Sequence, residues 1–319
     1  MSQSVFLTGA TGFVGGALLR RLVADNFSVT AAVRNGAVLD ASGVDIVAFE
    51  SFESARWDEC LTGIDVVVHC AARVHVMDDK EANPLVAFRK VNVEATLNLA
   101  QKAAEAGVRR FVFISSIKVN GEGTALGRPY TAEDRPAPGD PYGVSKMEAE
   151  QGLRALAARI GMEVVIIRPV LVYGPGVKAN FLNMMRWLDK GLPLPFGAIN
   201  NGRSLVALDN LVDLIITAAT HPSAANQTFL VSDGEDLSTT QLLKKMASAL
   251  GKPAHLLPVP SWMLSTAATM LGKQSLSQRL CGSLQVDISK NKELMQWTPP
   301  VSVDDALKAT AHHYKELKK

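Results

Sequence analysis

The chain has 319 residues, of which 47% are hydrophobic and 20% are charged, and its formal net charge is +2. That length allows one large or two medium domains with a substantial core, and so small a charge, without a run of Lys or Arg, gives no reason to expect a nucleic-acid partner. The three cysteines, Cys60, Cys70 and Cys281, are odd in number and form no Cys-x-x-Cys pair. We therefore expect a reducing compartment, with neither a disulfide framework nor a metal site.

No segment has the features of a signal peptide or a membrane span. The apolar start VFLTGATGFVGGALL lacks a basic region before it and is interrupted by glycines. WMLSTAATMLG, in the last third of the chain, is too short to cross a bilayer. It fits an interfacial helix or an ordinary packed helix, and we expect the packed one. The sequence therefore predicts a cytoplasmic protein without stable membrane insertion.

Strands and helices alternate along the first half of the chain. Apolar runs predict strands at SVFLTG, FSVTAAVR, VDIVAFE, DVVVHCAA, RRFVFISS and EVVIIRPVLVYG. Helical spacing predicts helices at GALLRRLVAD, NVEATLNLAQKAAEAG and PYGVSKMEAEQGLRALAARIG. Strands that are apolar throughout and separated by helices indicate a parallel sheet covered on both faces, which is a doubly wound α/β (Rossmann) fold.

Three glycines of TGATGFVG, residues 8–15, directly follow the first predicted strand and open the first helix. This context provides a tight turn, a close approach of the backbone to pyrophosphate, and helix N-terminal N–H groups that face the anion. We therefore predict a dinucleotide site in this turn. Its predicted cofactor-binding residues are Gly9, Thr11, Gly12, Phe13, Val14 and Gly15.

The end of the second strand distinguishes the two nicotinamide cofactors. An acidic residue there accepts the ribose hydroxyls of NAD, whereas a basic residue accommodates the 2′-phosphate of NADP. AAVRNG places Arg34 at this point with no acid beside it. A solvated arginine at a strand end is the alternative interpretation. The sequence favours NADP(H) as the cofactor and leaves NAD(H) possible.

DPYGVSK, residues 140–146, places Tyr142 and Lys146 one turn apart on one face of a predicted helix. A phenol with a pKa of about 10 transfers protons poorly at neutral pH, and we expect Lys146 and an oxidised nicotinamide to lower that pKa. Ser116 ends the fifth strand, at the sheet edge where such folds bind ligands, and can hold a substrate oxygen. A surface Tyr–Lys pair is the alternative, but this context favours catalysis by Ser116, Tyr142 and Lys146.

The combination TGATGFVG, VHCAA, VNVEAT, FISS, YGVSK and RPVLVYGPG resembles the extended short-chain dehydrogenase/reductase superfamily, the NAD(P)-dependent sugar-nucleotide epimerases, dehydratases and reductases. The resemblance covers nearly the whole chain. It implies that Tyr142 is the acid/base, that Lys146 also binds the nicotinamide ribose, and that the active serine is Ser116 rather than Ser115. The further cofactor contacts that it implies are Ala71, Ala72, Asn92, Arg168 and Pro169.

The pattern of elements loosens after residue 173, where Pro and Gly crowd into GPGVK and KGLPLPFG. We expect residues 1–173, with a return segment at about 204–233, to form the dinucleotide-binding domain. Residues 174–203 and 234–319 would form a smaller, mixed, mostly helical substrate lobe. The resemblance also implies a homodimer, with helices at 93–106 and 141–159 as the candidate interface, although helix faces buried inside a monomer give the same pattern.

The resemblance implies a UDP-sugar substrate. Asn180, just after the YGPG loop, fits the position of the family's asparagine that holds the diphosphate, and Arg203 matches its arginine for the diphosphate or nucleotide. Lys118 is a candidate contact to the sugar or diphosphate, with a solvated loop lysine as the alternative. Arg279 is a second candidate arginine, for which a surface role is the better interpretation.

Departures from the family pattern narrow the predicted reaction. Family dehydratases carry Asp and Glu after the active hydroxyl residue, and this chain has Ile117 and Lys118 there, so we do not expect 4,6-dehydration. One redox event at C4 of the sugar remains, in a 4-ketoreductase that consumes NADPH or a 4-epimerase that retains NAD. Arg34 favours the reductase.

The string SSIKVNGE…DPYGVSK most resembles bacterial 4-ketoreductases of surface polysaccharide (O-antigen) biosynthesis. These enzymes convert UDP-2-acetamido-2,6-dideoxy-4-hexulose to UDP-N-acetylquinovosamine, and related 4-epimerases share parts of the string. A non-catalytic NADP(H)-binding sensor is the alternative from another class of protein, although a sensor would have no need of Tyr142.

Overall fold

The structure, a computed structural model, describes residues 3–37, 39, 42–52, 55–74, 83–270, 272, 278 and 280–318. Its strands in chain order are β1 (Ser4–Thr8), β2 (Ser28–Arg34), β3 (Val44–Phe49), β4 (Val66–His69), β5 (Arg110–Ile114), β6 (Glu163–Pro169), β7 (Leu171–Tyr173), β8 (Arg203–Ala207), β9 (Thr228–Val231) and β10 (Asp236–Leu237). Seven of them form one parallel sheet in the order β3-β2-β1-β4-β5-β6-β9. The predicted doubly wound parallel sheet is confirmed.

Helices cover both faces of this sheet. The described helices in chain order are α1 (Phe13–Ala24), α2 (Pro84–Arg89), α3 (Ala95–Glu105), α4 (Pro141–Ile160), α5 (Ala179–Asp189), α6 (Leu208–Thr220), α7 (Thr239–Leu250), α8 (Ser261–Met270), α9 (Ser289–Met295) and α10 (Val303–Glu316). Of these, α1 and α6 pack on one face of the large sheet, and α3 and α4 pack on the other. Successive side chains of a strand point to opposite faces. Val5 and Leu7 of β1 therefore pack on the side of α1 and α6, whereas Phe6 packs on the side of α3 and α4. Both faces are dry, as the uniformly apolar strands predict.

The predicted strand EVVIIRPVLVYG divides between two sheets. Its first part, β6, ends at Pro169, whose ring nitrogen has no proton to donate to a further ladder bond. The chain then leaves the large sheet, and β7 pairs with β8 in a second, three-stranded sheet of order β10-β8-β7. This small sheet packs with α5, α7 and α10 around a third apolar cluster.

The segment predicted to return to the first domain contributes to both sheets. Its first residues form β8 of the small sheet, whereas α6 packs on the large sheet beside α1 and β9 forms the edge of the large sheet. The chain thus crosses between the two sheets several times.

Two helix starts have clear local causes. Helix α4 has Asp140 as its N-cap, which accepts a 2.7 Å hydrogen bond from the Gly143 N–H, and it ends at Gly161, whose φ of 75° only glycine adopts readily. Helix α3 continues from a π-helical segment, Lys90–Glu94, instead of starting as a regular helix at the predicted residue. Such π-helical turns are frequent at functional sites, and this one carries Asn92.

Helix α8, which contains most of the segment WMLSTAATMLG, differs from its prediction. None of its residues is buried, and Trp262 and Met270 are 69% and 83% exposed. The expectation of an ordinary packed helix is wrong for this segment. No helix in the described part of the chain is both long and apolar enough to cross a membrane.

Candidate active site

The glycine turn lies at the point where the strand order reverses, between β1 and β4. Thr8, the last residue of β1, is level with His69 at the end of β4, so the chain segments that follow both strands meet. Gly9 has a φ of +76°, and a Cβ there would lie 2.8 Å from the Ala71 nitrogen. A Cβ on Gly15 would lie 2.1 Å from the Gly9 carbonyl oxygen. The turn therefore requires glycine at both positions, as a dinucleotide-binding turn does.

The N-terminus of α1 is open to an anion. Gly12 is its N-cap and is exposed, no described side chain caps it, and the first turn of α1 carries no acidic residue. Thr11 is also exposed, and Phe13 and Val14 are half-buried beside it. Unpaired N–H groups and the positive end of the helix dipole at this point fit a pyrophosphate. The predicted residues of the turn are thus compatible with a dinucleotide cofactor.

Ala71 and Ala72 follow β4 and are half-buried. The Ala71 N–H donates to the Thr8 hydroxyl at 3.3 Å, which fixes the backbone of this segment beside Gly9. The two alanines therefore border the glycine turn, where the sequence predicts the cofactor.

Arg34 ends β2 and is exposed. The three residues after it, Asn35–Ala37, include no acid. A guanidinium in this position is accessible to a ribose phosphate, and its cofactor role stays a prediction.

Lys146 is anchored in the interior beside the end of β5. It is 1% exposed, and its Nζ donates a 2.9 Å hydrogen bond to the Ile114 carbonyl and lies 4.4 Å from the centre of the Phe113 ring. Burial lowers the pKa of the ammonium to about 8, because a dry site disfavours the charge. This hydrogen bond ties helix α4 to the last residue of β5, which lies two residues before Ser116.

Tyr142 lies one turn before Lys146 on α4 and is half-buried, with its ring edge against Phe88 at a centroid distance of 5.9 Å. Burial raises the pKa of the phenol to about 12, and the Asp140 carboxylate adds to the rise. The net shift of this pKa in the protein alone is therefore upward, and the lowering expected from Lys146 together with an oxidised nicotinamide stays a prediction. The Lys146 ammonium is bound to the Ile114 carbonyl, and desolvation of the phenol dominates.

The two serines at the end of β5 face different environments. Ser115 is 3% exposed, and its hydroxyl donates to Glu150 at 2.5 Å. Ser116 is half-buried, and its Oγ accepts a 3.2 Å hydrogen bond from the Lys118 N–H. That bond leaves the Ser116 proton to be donated to a ligand oxygen. The geometry is compatible with the choice of Ser116 as the active serine.

Arg168 and Glu150 form a buried ion pair next to these serines. Both are 2% exposed, and the Arg168 guanidinium donates to the two carboxylate oxygens at 2.9 and 2.5 Å. Its third donor reaches the Asn120 side-chain oxygen at 2.9 Å. The side chain of Arg168 is thus bound within the protein, whereas Pro169, the next residue, is half-buried at the end of β6. The cofactor contacts of both residues stay predictions.

Asn92 connects the segment after β4 to the catalytic helix. It is 1% exposed, accepts from the Arg73 N–H at 2.8 Å and donates to the Arg73 carbonyl at 3.0 Å. It also donates to the Ser145 hydroxyl at 3.0 Å, which in turn donates to the Tyr142 carbonyl at 2.8 Å. These bonds link the segment after β4 to the start of α4, and the cofactor contact of Asn92 stays a prediction.

The predicted substrate contacts are spread over two regions. The Lys118 ammonium binds Glu122 at 2.6 Å and Asp140 at 2.8 Å, so its charge is matched within the protein. Asn180 is exposed in the first turn of α5, and Arg203 begins β8 and donates to the Gly282 carbonyl at 3.3 Å. Both residues lie in elements that pack in the small-sheet lobe. Arg279 lies outside the described residues.

Three buried polar residues near the site were not predicted, namely Glu150, Asn120 and His69. Glu150 lies four residues after Lys146, and a carboxylate on the buried face of the helix that carries YGVSK was the available signal. His69 bonds Thr8 at 2.7 Å and Thr96 at 3.0 Å, and burial lowers its pKa to about 3. The apolar run VVVH predicts that His69 is buried, but it does not indicate Thr8 and Thr96 as its hydrogen-bond partners.

Comparison with known proteins gives a consistent result. The model of the NAD dependent epimerase/dehydratase family matches residues 5–232. UDP-glucose 4-epimerase of Vibrio cholerae is 52% identical to this chain over 316 residues, which are 98% of this chain and 96% of that protein. N-acetyl-alpha-D-glucosaminyl-diphospho-ditrans,octacis-undecaprenol 4-epimerase of Escherichia coli O157:H7 is 30% identical over 269 residues, 83% of this chain and 78% of that protein.

Solved structures agree on the fold. UDP-glucuronic acid 4-epimerase from Bacillus cereus in complex with NAD superposes with a TM-score of 0.79 at 21% identity, covering 99% of this chain and 100% of that one. UDP-glucose 4-epimerase from Thermotoga maritima with UDP-glucose gives a TM-score of 0.77 at 21% identity and the same coverage.

Proposed function

The chain belongs to the NAD-dependent epimerase/dehydratase family, and we propose that it is a nicotinamide-dependent 4-epimerase of a UDP-hexose that uses Tyr142 as its acid/base. The observation that carries the proposal is the placement of Tyr142, Lys146 and Ser116 around the end of β5, in a fold whose glycine turn is open to an anion. The 52% identity to a UDP-glucose 4-epimerase supports the reaction and the substrate class.

The cofactor would lie along the ends of β1 and β4. The glycine turn and the N-terminus of α1 would hold its phosphates, and Lys146 would hold the nicotinamide ribose. When bound, the nicotinamide supplies the acceptor and donor of the hydride at C4. The family description names NAD, and so do the titles of several solved neighbours; none of them supports the NADP(H) preference predicted from Arg34.

The protein residues supply the proton chemistry. Ser116 would donate a hydrogen bond to the C4 oxygen and hold it against Tyr142. With a pKa of about 12 in the cofactor-free site, Tyr142 is protonated at neutral pH and suited to donate to a C4 ketone. Oxidation of the C4 alcohol needs the phenolate instead, which a positive charge beside the ring would favour. The proton affinity of Tyr142 would therefore follow the charge in the site.

Dehydration of the sugar receives no support from the site. That reaction needs an acid and a base beside the active serine. The two residues at those positions are Ile117, which is 6% exposed, and Lys118, which is paired with two carboxylates. Neither side chain can act as the missing carboxyl pair.

A second candidate function is the reduction of a 4-keto UDP-sugar, as in the conversion of UDP-2-acetamido-2,6-dideoxy-4-hexulose to UDP-N-acetylquinovosamine for surface polysaccharide. Arg34 is the observation that favours it, since this exposed cation ends β2 without an acid beside it. A released and reloaded NADPH suits a reductase, whereas an epimerase recycles one bound cofactor. The same Ser116, Tyr142 and Lys146 would serve both reactions.

One experiment separates these functions. The purified protein is incubated with UDP-glucose, with UDP-N-acetylglucosamine, and with a UDP-4-keto-6-deoxy sugar plus NADPH or NADH. Formation of the C4 epimer without net cofactor consumption supports the epimerase. Cofactor oxidation in proportion to the keto sugar, with no epimer formed, supports the reductase instead. Cofactor binding without turnover of any sugar would contradict both and favour the non-catalytic sensor.

We also expect a homodimer through α3 and α4, which pack against each other on one face of the large sheet. Light scattering of the purified protein measures its mass directly. A monomer at micromolar concentration would contradict this expectation.

A further inference from the structure

The turn that carries Ser116 is held at both ends by one buried group. On its N-terminal side, the Ser115 hydroxyl donates to Glu150 at 2.5 Å. On its C-terminal side, the Asn120 side-chain oxygen accepts from Arg168 at 2.9 Å, and Arg168 is itself paired with Glu150. The short 3-10 turn between them, Ile117–Val119, has one further link to the start of α4, because the Lys118 ammonium donates to the N-cap Asp140 at 2.8 Å. That pair is partly exposed, whereas the links through Glu150 are buried.

The position of Ser115 transmits this constraint to its neighbour. Ser116 has an extended backbone, with φ −158° and ψ 148°, so the two serine side chains point to opposite sides of the chain. The Ser115 N–H also donates to the Ile167 carbonyl of β6 at 2.7 Å. With its backbone fixed by β6 and its hydroxyl fixed by Glu150, Ser115 determines the direction in which Ser116 points.

Glu150 links this turn to the other two catalytic residues. It lies on α4, four residues after Lys146 and eight after Tyr142, so it shares their side of the helix. The carboxylate is 2% exposed, and its two oxygens accept three hydrogen bonds, two from Arg168 and one from Ser115. Charge-assisted bonds of this kind are short and directional. They join the serine turn to the tyrosine helix without passing through either active side chain.

We propose that Glu150, together with Arg168, is a positioning residue that sets the distance between the Ser116 hydroxyl and the Tyr142 phenol. This inference rests on the proposed function, in which both groups act on one sugar oxygen. A displacement of about 1 Å in such a site costs on the order of 10²-fold in rate. Loss of the Glu150 carboxylate should therefore slow the catalytic step. It should leave the glycine turn unchanged, because that turn lies on the far side of β4.

The test is a double-mutant cycle in the full-length protein loaded with cofactor. Glu150→Gln keeps the shape of the side chain and removes its charge. We expect kcat with the UDP-sugar to fall by about 10- to 100-fold, with cofactor affinity within about twofold of wild type. Glu148→Gln is the matched control, since Glu148 lies on the same helix and pairs with Arg89 at the surface. We expect it to retain wild-type kcat.

The same substitution in a Ser116→Ala background tests whether Glu150 acts through Ser116. We expect Glu150→Gln to cost less than about threefold there, because the hydroxyl that it positions is gone. An equal fold-loss in both backgrounds, or a wild-type kcat in Glu150→Gln, would overturn the inference. If Glu150→Gln gives no cooperative unfolding transition, Ser115→Ala replaces it in the same cycle with the same expected outcomes. Failure of the proposed function is distinct, since wild type and Glu148→Gln would then also show no turnover.

Discussion

The proton affinity of Tyr142 offers a direct test of the electrostatics of the site. In the chain alone, burial raises the pKa of this phenol from an ordinary value of 10.0 to about 12, and Asp140 adds to the rise. A shift of about 2 pKa units corresponds to about 2.7 kcal/mol in favour of the neutral form. At about pH 9.5, roughly 0.3% of Tyr142 would be phenolate, compared with roughly 24% of an unshifted tyrosine.

The perturbation is Tyr142→Phe, and the assay is the ultraviolet absorbance of phenolate. The difference between the titration curves of wild type and Tyr142→Phe isolates the signal of this one residue from the other three tyrosines. In the cofactor-free protein we expect no difference below about pH 10.5. With oxidised cofactor added, we expect the difference to appear at lower pH, because a positive charge nearby favours the phenolate.

Two results would refute this reasoning. A phenolate signal from Tyr142 at or below about pH 9 in the cofactor-free protein would mean that burial does not control its pKa. An unchanged curve after cofactor binding would mean that the phenol does not sense the charge of the nicotinamide. The second result would also remove the basis for Tyr142 as the base in oxidation of a C4 alcohol.

Three further predictions concern binding and stability. Gly15→Ala should weaken dinucleotide binding by at least about tenfold, because its Cβ would lie 2.1 Å from the Gly9 carbonyl oxygen. Gly16→Ala is the control, since its Cβ would lie 3.2 Å from the Ala10 carbonyl oxygen, and calorimetry should show a smaller loss of affinity for it. Arg34→Ala should weaken NADPH binding by about tenfold more than NADH binding, and equal losses in a fluorescence titration would contradict the phosphate role. His69 titrates at about 3 when folded and 6.5 when unfolded, so its contribution to stability is complete above about pH 6.5 and is lost as the pH falls towards 3. On going from about pH 7.5 to about pH 5, wild type should lose about 2 kcal/mol more in urea unfolding than His69→Asn, and parallel losses would count against the buried neutral imidazole.

The fold was predictable because its signals are local. Runs such as SVFLTG and DVVVHCAA are short and apolar, and each of them forms a single strand. Gly9 in the first turn has a positive φ, which other residues rarely adopt. The division of EVVIIRPVLVYG into β6 and β7 was missed, since both halves are apolar and only the pairing of the second half with β8 distinguishes them. The helical conformation of α8 was predicted, but its exposure was not. Its apolar composition predicts burial, whereas Trp262 is largely exposed in the structure.

The chemistry of the site was predictable only as a set of residue types. The spacing of Tyr142 and Lys146 placed them on one helix face, but the direction of the phenol's pKa shift depends on how much water the fold excludes around it. The partners of Lys118 lie 4 and 22 residues away, so its pairing with two carboxylates could not be read from the motif. The role of Glu150 could not be predicted either, because it depends on Arg168, which lies on β6 and comes next to Glu150 only in the folded chain.

The most direct test of the account is single turnover of the cofactor-loaded protein with UDP-glucose, followed by nicotinamide absorbance and by analysis of the sugar product. Wild type should interconvert the C4 epimers, and Tyr142→Phe should do so about 10²- to 10⁴-fold more slowly with its cofactor affinity retained. A Tyr142→Phe variant that converts the sugar at the wild-type rate would contradict the assignment of the phenol as the group that moves the proton.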